Sequence, residues 1–111
     1  MTKENKDTQS DINPIDELDR IIHEPARLKI MTHLFVVDSG DFIYLMNKTG
    51  LTRGNLSAHM RKLEEAGYIE VTKQFVDRKP LTLLNLTESG RKAFKDYHST
   101  LSQILIKIDN N

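Results

Sequence analysis

The sequence contains no cysteine. Disulfides, thiolate metal sites and cysteine nucleophiles are thereby excluded, and the four histidines show no spacing that would join them in a metal site. Net charge is missing as well. Sixteen lysines and arginines balance sixteen aspartates and glutamates, which weighs against holding nucleic acid by bulk charge alone. No apolar run approaches the length of a membrane span, and the polar opening MTKENKDTQSDI lacks the apolar stretch of a secretory signal. A flexible tail is expected over residues 1–13, and the cytoplasm is the expected compartment, with no membrane partner. Catalytic signatures are absent too. There is no glycine-rich phosphate loop, no nucleophile with a matching base, and no paired carboxylates beyond Glu64 and Glu65, so neither an enzyme nor a cofactor is expected.

What is present fits one domain over residues 14–111: 38% of the chain is hydrophobic and 29% charged, the balance of a soluble globular protein. The charge is unevenly spread. Residues 1–23 carry six acids against three bases, whereas residues 53–80 carry six bases against four acids. The middle of the chain is its locally basic part.

Apolar spacing predicts helices followed by one hairpin. Asn13 and Pro14 start a short first helix in which Ile15, Leu18, Ile21 and Ile22 recur at helical spacing. Pro25 suits the first turn of a second helix running to about Val37, with Leu28, Met31, Leu34 and Phe35 on one face. Asp38, Ser39 and Gly40 end it, and a third helix with Phe42, Leu45 and Met46 inward runs to Gly50. The strand-like runs YIEVTKQFV and LTLLNL flank VDRKP and predict a two-stranded hairpin, with Pro80 placing its strand at an edge. Thr87 caps a last helix over about residues 88–108. Phe94, Tyr97, Leu101, Ile104 and Ile108 repeat in it at spacings of four and three, and Leu105 widens the stripe. So small a domain cannot cover such a stripe alone, so a second copy of the chain is the expected cover; a ligand pocket beside the first helices is the other reading.

LTRGNLSAHMRKLEEAGYIE, residues 51–70, carries the most information. Thr52 caps its helix, Leu51 and Leu56 form a hydrophobic staple, and Gly67 closes it. Leu56, Met60 and Leu63 share one face. Gly54, Ser57, Ala58, Arg61 and Lys62 point the other way, and a surface this low at its front can approach base edges closely. Arg53 and Asn55 suit bidentate contacts to guanine and adenine, while Thr52, Ser57, Arg61 and Lys62 suit phosphates. His59, at the boundary between faces, suits packing as well as it suits a phosphate. Glu24 and Arg27 read as a local ion pair.

Helix, short turn, helix and hairpin in this order form a winged helix-turn-helix pattern: helix-turn-helix over about 41–67, wing over about 68–86, mainly α with a β-hairpin. LDRIIHEPARLKIMTHL, LTRGNLSAHMRKLEEAGYIEV and LTESGRKAFKDY, in that order, resemble the small winged-helix transcriptional regulators related to the MarR and ArsR repressors. The resemblance covers about residues 18–101. It implies a homodimer that binds double-stranded DNA, with residues 53–66 as recognition helix and Lys73, Arg78 and Lys79 on a wing that reaches the minor groove or the backbone. The chain departs from the family's pattern after Pro80, where Leu81 and Leu84 stand in place of a further arginine and an aromatic. Winged helices also serve purely as protein assembly modules, and the zero net charge favours that alternative.

Overall fold

The computed structural model describes residues 13–111, so the expected tail lies, except for Asn13, outside the described residues. Asn13 accepts a hydrogen bond from the Ile15 amide at 3.0 Å, and Pro14 opens a single 3-10 turn, Pro14–Glu17. The predicted short first helix thus starts at its expected cap but does not continue past Glu17. Leu18 is extended, and the Asp19 carboxylate accepts from the amides of Ile21 (2.8 Å) and Ile22 (3.1 Å), which offers the backbone local partners in place of helical ones. Leu18 and Ile22 still reach the core, whereas Ile15 stays exposed.

Helix α1 (Pro25–Val37) has Glu24 as its N-cap, with Glu24 Oε1 accepting from the Arg27 amide at 2.8 Å. The carboxylate is thus a cap and not the expected ion-pair partner of the Arg27 side chain. Asp38 ends the helix at φ 68°, its amide donating to Leu34. A short strand β1 (Ser39–Asp41) comes next, then α2 (Phe42–Thr49), α3 (Arg53–Glu65), β2 (Ile69–Val76), β3 (Lys79–Leu86) and α4 (Glu88–Asp109).

The sheet has three antiparallel strands in the order β1-β3-β2, where a two-stranded hairpin is predicted. Ser39, Gly40 and Asp41 pair with Asn85, Leu84 and Leu83. This makes β3 the central strand, but β1 stops short of Pro80, so one side of β3 is open there. Val76 and Lys79 close the hairpin as a hydrogen-bonded pair, and at the next pair, Phe75 with Pro80, the missing N–H faces outward and costs no ladder bond.

Ile22, Ile30, Met31, Leu34, Leu45, Leu56, Leu63 and Leu84 are fully buried in one core. Burial of each is worth about 1.5–3 kcal/mol. Two of the eight lie on α3, so the core holds that helix rigidly against α1 and the sheet.

Candidate nucleic-acid interface

Both ends of α3 are fixed by local chemistry. The Thr52 hydroxyl accepts from the Asn55 amide at 3.2 Å, and Gly50, at φ 74°, makes the tight turn from α2. At the other end Gly67 is left-handed at φ 80°, and the Tyr68 amide returns to the Leu63 carbonyl at 3.0 Å, a glycine-terminated C-cap. Leu56 and Leu63 point inward, and the opposite face is presented to solvent.

That face carries most of the predicted contact residues. Thr52, Arg53, Asn55, Ala58, Arg61 and Lys62 are exposed and Ser57 is half-buried. A Cβ on Gly54 would meet nothing within 4 Å. Glycine here therefore serves no packing or turn within the chain, although it weakens a helix by about 1 kcal/mol relative to alanine. Arg53 lies over the Phe42 ring, 5.5 Å from its centroid, which holds the guanidinium beside the start of α2.

His59 is placed differently. Its Nδ1 accepts a 3.1 Å hydrogen bond from Arg27 Nη1 and lies 3.8 Å from Glu24 Oε1, while Arg27 Nε donates to the Ile21 carbonyl at 2.7 Å. His59 thus ties α3 to the start of α1, a packing role. Nothing in the local sequence signals this contact, because its partners lie 32 positions or more away.

Between α3 and the sheet runs a cleft of about 330 Å³, lined by Asp41, Phe42, Ile43, Arg53, Ser57, Met60, Lys73, Pro80, Leu81 and Thr82. Lys73 and Thr82 oppose each other across the hairpin on its cleft side. Phe42 and Met60 form part of this lining and were predicted only as core. The turn itself is the two residues Asp77 and Arg78, at φ 52° and 67°. Two positive φ values are what a tight hairpin of this kind needs, and glycine or asparagine would meet the need at lower cost than Arg78. Lys73, Arg78 and Lys79 are exposed, and among the described residues none of the six cations from Arg53 to Lys79 forms an ion pair.

A family model described as a winged helix DNA-binding domain matches residues 26–105, most of the chain. The chain belongs to that family. An uncharacterized protein of Methanocaldococcus jannaschii is 36% identical to this winged helix protein over 90 residues, 81% of this chain and 98% of that one. The solved transcriptional regulator homologue from Pyrococcus horikoshii is 32% identical, with a TM-score of 0.78 over 82% of this chain and 90% of that one. A MarR family regulator from Neisseria meningitidis shares the fold at 19% identity and a TM-score of 0.55, over 96% of this chain and 72% of that one.

In the winged helix protein the apolar stripe of α4 divides in two. Phe94 packs on Phe35 with ring centroids 5.0 Å apart, and Tyr97, 4% exposed, shares a 2.8 Å hydrogen bond with His23 Nδ1. Tyr97 belongs to the chain's own core, and Phe94 is half-buried against it. Leu101 and Ile104 are half-buried against that core. Further along, Leu105, Ile106 and Ile108 are 51%, 57% and 62% exposed, an uncovered apolar end.

A hollow of about 390 Å³ lies between the 3-10 turn and α4. Four of its polar side chains are paired within the chain: Lys92 pairs with Asp96 at 2.9 Å, and the Tyr68 hydroxyl donates to Asp19. Burial first, then the hydrogen bond and charge of Asp19, push the Tyr68 hydroxyl up to about 12; burial also raises Tyr97. Among the described residues no group of three or more histidines or carboxylates could hold a metal ion, and no helix is long and apolar enough to cross a membrane.

Proposed function

We propose that the protein is a sequence-specific, double-stranded DNA-binding transcriptional regulator that acts as a cytoplasmic homodimer. The recognition helix α3 enters the major groove and the hairpin lies on the adjacent minor groove or backbone. The observation that carries this reading is the outer face of α3. Gly54 stands open to solvent between Arg53 and Asn55, and among the described residues the cations around it have no carboxylate partners.

In this reading Arg53 pairs with guanine and Asn55 with adenine, while Thr52, Ser57, Arg61 and Lys62 hold phosphates. The low surface at Gly54 and Ala58 permits the approach. Lys73, Arg78 and Lys79 grip the duplex from the wing, and the cleft beside α3 has room for the sugar-phosphate strand between the two grooves. Leu105 and Ile108 meet their counterparts in a second copy, which sets two recognition helices on half-sites about one helical turn apart.

A gel-shift titration at moderate salt against genomic promoter fragments, the chain's own upstream region included, tests this. Retention of particular fragments over random duplex is the expected result. Equal affinity for all of them would refute it and favour a protein assembly module, for which the zero net charge speaks. Replacing both Arg53 and Arg61 by alanine then abolishes fragment retention with dimerisation intact under the first reading and changes no DNA signal under the second.

A further inference from the structure

Six of the seven aromatic side chains are buried or half-buried by the chain itself, and Phe75 is the exception at 76% exposure. Strand alternation puts it on the same face of β2 as the buried Ile69 and the cleft-lining Lys73. Across the hairpin it faces Pro80, another cleft residue. The ring therefore continues, toward the hairpin tip, the surface that looks toward α3. Among the described residues none covers it.

Its surroundings define what could. Lys73 shares its face, Arg78 lies in the adjoining turn and Lys79 follows on the opposite face of the hairpin, and Asp77 is the one acid in the stretch 71–82. Charge complementarity calls for a polyanion, and the ring calls for an apolar surface within that polyanion. The minor groove of duplex DNA combines both: its walls are deoxyribose C–H surfaces, its rims are phosphates, and it lies beside the major groove that α3 would fill.

We propose that Phe75 is a minor-groove wedge, seated between the sugar walls and pressing on one base step while Arg78 and Lys79 hold the flanking phosphates. This rests on the DNA-binding reading above and extends it to how sequence is read on the wing side. A wedge of this kind makes no hydrogen bond to the bases it selects. It favours steps that open cheaply, pyrimidine–purine steps such as TA, over stiff A-tracts. Pro80 opposite the ring stiffens its base, so that the side chain is held outward before DNA arrives.

The test uses full-length wild type, Phe75→Ala and Phe75→Leu, titrated against the duplex that wild type selects from a randomised pool, with 2-aminopurine placed in turn at each wing-side position. Wild type is expected to raise the fluorescence at one step in each half-site and to prefer TA there over AA. Phe75→Ala is expected to lose that rise, that preference and about tenfold in affinity. Phe75→Leu keeps most of all three, since leucine also serves as a wedge. The side chain is exposed, so both variants fold, and identical thermal melts confirm it. Alanine binding as tightly as wild type, or losing affinity with the fluorescence rise intact, overturns the wedge. So does a change of sedimenting mass in Phe75→Ala, which would assign the ring to a protein contact. If wild type selects no duplex, the regulator reading itself fails and the wedge falls with it, a result distinct from failure of Phe75 alone.

Discussion

A Cβ built on Gly90 would overlap the carbonyl oxygen of Tyr68. The first turn of α4 is thus packed directly onto the backbone corner where α3 ends and the wing begins. Thr87 completes the joint, donating to the Gly67 carbonyl at 2.7 Å and accepting from the Gly90 amide at 2.9 Å. Gly90→Ala forces the two segments apart. It is expected to lower stability in urea by about 1–3 kcal/mol, and to weaken DNA binding because the angle between α3 and the wing is set here. A wild-type unfolding midpoint would show that the corner yields freely.

Gly54 gives the opposite expectation. It has helical surroundings and open space, so Gly54→Ala should raise stability by up to about 1 kcal/mol. Gly54→Leu should fold equally well, yet its longer side chain keeps α3 from the base edges. Thermal melts and a fragment titration on both variants separate the two effects. Tight DNA binding by Gly54→Leu would mean that this face does not meet the duplex.

Much of this surface is legible in the sequence, since caps and glycines act over a few residues. Thr52, Gly50 and Gly67 set α3 where its pattern places it, and Thr87 does the same for α4. The failures have a common physical cause. Strand β1 is SGD, a sequence without strand propensity, and exists because β3 offers it partners more than 40 residues away. Asp19 competes for backbone amides where helical spacing alone predicts a helix. The spacing of Phe94 and Tyr97 does not reveal that Phe94 packs on Phe35 or that Tyr97 is buried within the chain, contacts that arise only on folding.

The division of α4 shapes a third prediction. A charge at Leu101 or Ile104 would disturb the chain's own core as well as any partner, whereas Leu105 and Ile108 are free of it. Leu105→Glu with Ile108→Glu is expected to leave the thermal melt of the domain intact while halving the sedimenting mass. Affinity for a two-half-site fragment should fall by at least about a hundredfold, the loss of bivalent attachment. An unchanged mass would place the dimer contact elsewhere or remove it.

The Tyr68–Asp19 pair makes stability depend on alkaline pH. The folded hydroxyl titrates near 12 against an ordinary value of 10.0, so its contribution is complete below about pH 10. It is lost as pH rises from there toward 12, when the hydroxyl would become a phenolate beside a carboxylate. In urea unfolding, wild type is expected to be more stable than Tyr68→Phe at pH 9, with the gap closing by pH 11.5. A constant gap would show that the hydroxyl does not report on Asp19.

Dimethyl sulfate footprinting of the fragment that the protein selects probes guanine N7 in the major groove directly. Two protected patches, about one helical turn apart, should appear with wild type. Arg53→Ala should lose protection at one guanine in each patch while it still occupies the fragment at higher concentration. Continuous binding without any protected guanine, or protection that Arg53→Ala leaves untouched, would contradict recognition by the outer face of α3.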